Sequence, residues 1–250
     1  MLPLLAAMLP ARDAHALDPF EIQVYDGTAN APGAVGLELH VNRVFNGLES
    51  ATSPVLPPHH QTHFTLEPSL GVTRFLELGA YFQTALRADG TFDYAGSKLR
   101  AKFVTPEGFH EHLRLGVNLE ASAVPERYER GRWGAEIRPI VAWENDRFLF
   151  AVNPIVGIPL AGDDAHDGPT LEPAATAKVK IADVIALGVE TYSSLGPMAH
   201  PAAVREQQHY VYEVVDLLSI EHLEVNAGIG QGITSTSNGL VAKLILGYSM

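Results

Sequence analysis

The sequence predicts an all-β chain of about twelve long antiparallel strands, joined in order and closed into an up-and-down barrel. Three observations predict it. Apolar and polar residues alternate with period two almost from end to end, whereas apolar spacings of three and four are rare. The alternating segments run to about 11 to 14 residues, well beyond the roughly 5 or 6 usual for a strand. Their connections alternate between tight and long, and no linker, repeat or low-complexity stretch divides the chain.

From the start, Leu2 to Pro10 is apolar and is followed by Arg12-Asp13 and then by Ala14-His15-Ala16, a small-x-small triplet. Residues 1–16 therefore read as a signal-peptide remnant, with the mature chain starting near Leu17. Residues 17–33 hold a short β-like piece, Phe20 to Asp26, and a loop, Gly27 to Gly33. This periplasmic or lumen segment either plugs the barrel, pairs at its rim or adds a strand, and the sequence does not choose. The barrel domain spans 34–250. Its strands are expected at 34–45, 60–71, 74–86, 91–104, 110–122, 132–144, 147–158, 168–181, 184–194, 206–218, 221–231 and 237–250.

The pattern is plainest in the third, fifth and sixth strands. Leu76, Leu78, Ala80, Phe82 and Leu86 oppose Glu77, Gly79, Tyr81 and Gln83. Leu113, Leu115, Val117, Leu119 and Ala121 oppose Arg114, Asn118 and Glu120, and Trp133, Ala135, Ile137, Val141 and Trp143 oppose Glu136, Arg138 and Glu144. Between strands come tight links at Val72-Thr73, Asn145-Asp146, Ala182-Asp183 and Ser219-Ile220, and long ones at 46–59, 123–131, 159–167 and 195–205.

Composition excludes several classes. Seventeen Lys and Arg against 29 Asp and Glu give a formal charge of −12, which argues against a nucleic-acid partner. With zero Cys there is no disulfide scaffold, and no apolar run is long enough for a membrane-spanning helix. The apolar face must then be either the core of a secreted β domain or a lipid-facing belt. Strand length favours lipid. Trp133 and Trp143 share a face ten residues apart, about 25 Å along the normal of a tilted barrel, the height of the apolar band between two aromatic girdles. Tight turns alternating with long loops point the same way, and an even strand count puts both termini on the periplasmic side.

Phe20-Glu21-Ile22-Gln23-Val24-Tyr25 leading to Gly36-Leu37-Glu38-Leu39-His40, with Glu136-Ile137-Arg138-Pro139 and Asn153-Pro154, resembles Gram-negative outer-membrane β-barrel proteins. The similarity is to proteobacterial outer-membrane transporters grouped with barrel proteins of the meta-pathway of phenol degradation, and it spans most of residues 20–250. It implies the outer membrane of a Gram-negative bacterium as location, with membrane lipid and the barrel-insertion machinery as partners. Such barrels commonly end on an aromatic residue, and here Tyr248 stands in Leu246-Gly247-Tyr248-Ser249-Met250.

With the apolar face outward, the other lines the lumen: Glu38, His40, Glu67, Glu77, Tyr81, Lys98, Arg100, Lys102, Arg114, Glu120, Glu136, Arg138, Glu172, Lys178, Lys180, Glu190, Glu213, Glu224 and Lys243. Nine Glu against eight Lys or Arg imply a salt-bridged or wet interior, because an isolated buried ion costs on the order of several kcal/mol. Lys98, Arg100, Lys102 and Arg114 could form a positive wall facing a Glu-rich one, as in pores that orient polar solutes. The expected function is a passive channel or uptake route for small polar or aromatic solutes; the alternative is a non-conducting structural or surface-binding barrel. Twelve strands fall between filled eight-stranded and open 16-stranded barrels, so pore width stays open.

No catalytic residue, cofactor site or metal site is assigned. Ser237-Asn238-Gly239 matches part of the His-x-Ser-Asn-Gly of outer-membrane phospholipases, but Ser235 stands where their His would be, so it reads as a turn. His59-His60-x-x-His63, His110 with His112, and Asp163, Asp164 and Asp167 read as solvated loop residues rather than metal ligands.

Overall fold

The computed structural model describes residues 18–218 and 222–250, so the expected signal-peptide remnant lies outside the described residues. Twelve strands follow in chain order: β1 Val35–Asn46, β2 Thr62–Thr73, β3 Leu76–Leu86, β4 Phe92–Val104, β5 Leu113–Ala123, β6 Trp133–Glu144, β7 Phe148–Pro159, β8 Thr170–Ala182, β9 Ile185–Ser194, β10 Gln208–Leu217, β11 Leu223–Gly232 and β12 Leu240–Ser249. Each pairs antiparallel with its sequence neighbours, and β1 pairs with β12 to close the barrel. Closure removes both sheet edges, the one way an antiparallel sheet can satisfy all its backbone groups within lipid. The seam continues past the strand ends, where Val35 and Met250 exchange backbone hydrogen bonds of 3.1 and 2.8 Å.

The connections define two ends. At the turn end lie 74–75, 105–112, 145–147 and 183–184, together with the start of β1, the end of β10, the start of β11 and the end of β12; the expected tight link Ser219-Ile220 lies outside the described residues. The loop end carries 47–61, 87–91, 124–132, 160–169, 195–207 and 233–239. The connection at 105–112 is longer than expected, because Pro106, Glu107 and Gly108 form a turn that delays the start of β5 to Leu113. Between β6 and β7 the register is continuous on either side of Pro139 and Pro154, two residues with no N–H to give to the ladder.

Exposure along the strands is inverted relative to a water-soluble domain. Leu99 is 66% exposed and Ile229 60%, while Glu67 and Arg138 are 1% and 3% exposed. A charged side chain is rarely buried unless paired, so the polar face must be the interior and the apolar face the exterior. Trp143, Phe148 and Phe150 cluster outside near the turn end, with ring centroids 5.9 to 6.2 Å apart. Trp133, Phe92 and Tyr94 stand outside near the loop end, so the two girdles expected from the tryptophan spacing are present.

Val117 sits on the apolar face in the middle of β5, opposite Phe103 and Pro139. Val117→Arg is expected to lower the unfolding free energy in lipid by about 2 to 4 kcal/mol, measured by denaturant titration. An unchanged midpoint would mean that this face does not meet acyl chains.

Candidate functional site

The lumen is where the charges converge. Period-two geometry aims alternate residues of every strand inward, and the register stacks them into rows. Glu38 of β1 lies opposite Glu67 of β2, Glu77 of β3 opposite Lys102 of β4, and Arg100 of β4 opposite Glu120 of β5. Of the residues expected to line the lumen, all but one have the inward parity. Glu213 is corrected: it pairs with Val189 and Ile229, both outward, while its neighbour Tyr212 pairs with the inward Glu190. The stretch Tyr210-Val211-Tyr212-Glu213 alternates in a way that fits either facing, because a tyrosine suits a wet lumen as well as a lipid interface. The register of β9 settles it. Tyr192, Tyr210 and Tyr212 thus join the lumen, with Gly230 leaving room for the Tyr212 ring, which a Cβ there would overlap.

The interior is not hollow between these walls. Residues 18–34 run through it from the loop end to the turn end before entering β1. Near the loop end, Asp18 meets Lys98 Nζ at 2.6 Å, and the Pro19 and Phe20 carbonyls accept hydrogen bonds from Asn42 Nδ2 and Thr65 Oγ1 at 2.9 Å each. The Phe20 ring packs edge-on against His63 and against Tyr128 of the β5–β6 loop. Burial pushes the Tyr128 phenol above its ordinary value against the opposing pull of Arg87, in keeping with its donating to Asp93 Oδ2 at 3.1 Å.

At mid-depth, Glu21 receives Arg138 at 2.9 Å, and Lys243 donates to the Ile22 carbonyl at 3.0 Å. Tyr25 is clasped on both sides of its backbone by Asn153, which accepts from its N–H at 2.7 Å and donates to its carbonyl at 3.0 Å. The Tyr25 hydroxyl lies 2.7 Å from that of Tyr81, and Arg138, Lys102 and Arg100 surround its ring at 4.5, 5.3 and 5.9 Å. Toward the turn end, Arg114 binds the Asp26 carboxylate at 3.0 Å and its carbonyl at 2.8 Å, and Glu77 accepts the Asn30 N–H at 2.6 Å.

The wall charges are paired as well. Arg100 bridges Glu67 and Glu77 at 2.5 and 2.8 Å, Lys102 meets Glu77 at 2.9 Å, and Arg138 meets Glu136 at 2.7 Å. Lys178 joins Asp216 at 2.7 Å, Lys180 and Arg114 share Glu144, and Lys243 binds Glu190, which also accepts the Tyr192 hydroxyl at 2.6 Å. The cations Lys98, Arg100, Lys102 and Arg114 therefore do not stand as a bare positive wall. Each is held by carboxylates of other strands or of residues 18–26. Glu172 takes the Thr170 hydroxyl, and Glu224 stands at the turn-end mouth.

Asp18, Glu21, Tyr25 and Asp26 escape a strand-parity reading because they belong to no strand. Inward Asn42, Gln83, Asn118, Asn153 and Asn226 share the parity of the charged residues, which is the signal that finds them. At that mouth lies a cavity of about 330 Å³, bordered by Asn30, Glu38, Glu77, Lys102, Glu224 and Tyr248. Ser237 is a turn residue, its hydroxyl accepting from the His209 N–H at 3.0 Å and donating to the His209 carbonyl at 3.2 Å. The histidine triplet separates: His59 caps Gly47 N–H in its loop while His63 is buried in the lumen.

No protein-family model matches the chain, and neither does any curated protein. Solved structures do match over nearly the whole barrel. An outer-membrane channel from Pseudomonas putida F1 superposes with a TM-score of 0.62 at 11% identity, over 92% of this chain and 100% of that one. The KdgM porin gives 0.57 at 8% identity, over 86% and 99%, and the NanC porin 0.53 at 8%, over 86% and 98%. The chain has the fold of outer-membrane porins and channels.

Proposed function

We propose that the protein is an outer-membrane channel of a Gram-negative bacterium whose pathway is governed by residues 18–30. One observation carries this reading. Between residues 18 and 32, the backbone hydrogen bonds described within the segment stay local, and it forms no ladder with any strand. Wall side chains hold it instead, as they would hold a bound peptide, so it can leave without breaking the barrel. A passing solute meets the same groups: paired carboxylates and cations, inward amides, and the rings of Tyr25, Tyr81, Tyr192 and Tyr212. That lining suits small polar or aromatic solutes that exchange hydrogen bonds and cation–π contacts with it. The KdgM porin has been described with oligogalacturonate, which supports a small-molecule partner for this fold. Membrane lipid meets the outer belt, and the insertion machinery would read the β12 end, where Tyr248 points outward.

The density of buried ion pairs also favours a second reading, a sealed barrel with a structural or surface-binding role. Liposome swelling separates the two. Vesicles holding the wild-type protein are expected to swell in small polar solutes faster than protein-free vesicles; equal rates would leave the sealed barrel.

A further inference from the structure

We propose that Glu38, His40 and Glu67 form a binding site for a divalent transition metal of the zinc type, reached from the turn-end mouth of the barrel. Positions 38 and 40 share the inward face of β1, and the register sets Glu67 directly opposite Glu38, so sheet geometry alone brings the three together. His40 Nε2 lies 3.4 Å from an oxygen of Glu38 and 3.4 Å from an oxygen of Glu67, and the three ligand atoms fall within 4.8 Å of one another. A tetrahedral ion with bonds of about 2.1 Å has ligand edges of about 3.4 Å, so two of the three edges already have the length such an ion requires.

A separate observation points to a ligand. The His40 ring is fully buried, its Nδ1 has no hydrogen-bond partner, and its Nε2 reaches the Glu38 and Glu67 oxygens only at 3.4 Å each, beyond the usual range of about 2.7 to 3.2 Å. Buried polar atoms ordinarily find closer partners, and an ion among these three side chains would give Nε2 and both carboxylates one. The second Glu67 oxygen is already taken by Arg100 at 2.5 Å, which fixes the carboxylate as an outer-shell partner fixes a metal ligand.

Charge agrees. Glu67 and Glu77 hold the cations Arg100 and Lys102, while Glu38 and Glu224 add two more carboxylates at the same mouth, a setting that favours a cation. One imidazole with two carboxylates suits zinc and its neighbours better than the all-oxygen preference of calcium or magnesium. Glu38 borders the 330 Å³ cavity, which gives an entry path. Three protein ligands leave a position for water or a solute oxygen.

The test uses the full chain in detergent, with any affinity tag removed and metal stripped by chelator. Titration with Zn²⁺ is expected to show one saturable equivalent, and Co²⁺ the visible absorption of a tetrahedral ion. His40→Gln and Glu38→Gln should each weaken Zn²⁺ binding by about 100-fold or more. His63→Gln, at the other buried histidine of the lumen, should leave binding unchanged. Heat-modifiable migration reports folding; should His40→Gln not fold, Glu38→Gln decides, since that side chain is 22% exposed and can change to an amide without stranding a buried charge. Wild-type protein that takes up no Zn²⁺, or a folded Glu38→Gln that binds like wild type, overturns the site. Neither result touches the channel reading, which rests on swelling and conductance.

Discussion

Deletion of residues 18–30 is expected to raise single-channel conductance in planar bilayers about tenfold, replacing small or brief steps by steady ones. Those residues occupy the lumen cross-section from Lys98 to Arg114, and an ion crossing the barrel must now pass the Tyr25 ring and the cations around it. Removing them exposes Lys98, Arg138, Lys243 and Asn153 to water without touching a strand pair, so the barrel should still form. A full-length companion is Gly71→Val. A Cβ at Gly71 would run into the carbonyl oxygen of Ala31, at the root of the segment, and should produce flickering openings between the wild-type and deleted levels. If the deleted chain conducts no better than the wild type, residues 18–30 do not govern the pathway.

The wall of this barrel could be read from the sequence because each strand carries its own test of facing. Where one parity is Leu113, Leu115 and Val117 and the other Arg114, Asn118 and Glu120, only one orientation avoids charges in lipid. The reading failed at β10 for a physical reason: with tyrosines on one side and valines interrupted by Glu213 on the other, neither facing is strongly penalised, and the neighbour's register decides. Residues 17–33 were legible only as a segment with three possible roles. Their contacts reach across the chain, as from Tyr25 to Asn153 and from Ile22 to Lys243, and no local pattern encodes pairing at such separations. The convergence of Glu38, His40 and Glu67 is intermediate: the facing of each can be read in advance, but their meeting depends on the β1–β2 register.

The largest effect on stability is expected at Arg138. Its guanidinium meets Glu21 at 2.9 Å and Glu136 at 2.7 Å and covers the Tyr25 ring; Arg138, Glu21 and Tyr25 are buried, and the Glu136 side chain is 16% exposed. Arg138→Met keeps an unbranched apolar stem but leaves two carboxylates facing an apolar end. Breaking a buried pair by removing one partner costs about 3 to 5 kcal/mol, because the remaining charge stays desolvated. Lys98, 3.4 Å from Glu21, recovers only part of that loss. The Arg138→Met barrel should therefore unfold at lower denaturant by that amount, with an unchanged slope. Adding Glu21→Gln removes one stranded charge, so the double variant should be more stable than Arg138→Met alone, with a coupling of about 1 to 3 kcal/mol. The same change loosens residues 18–30 at mid-depth, so Arg138→Met should also open more often in bilayers. A loss below about 1 kcal/mol, the range of exposed pairs, would mean that water reaches this layer and that the segment does not seal it.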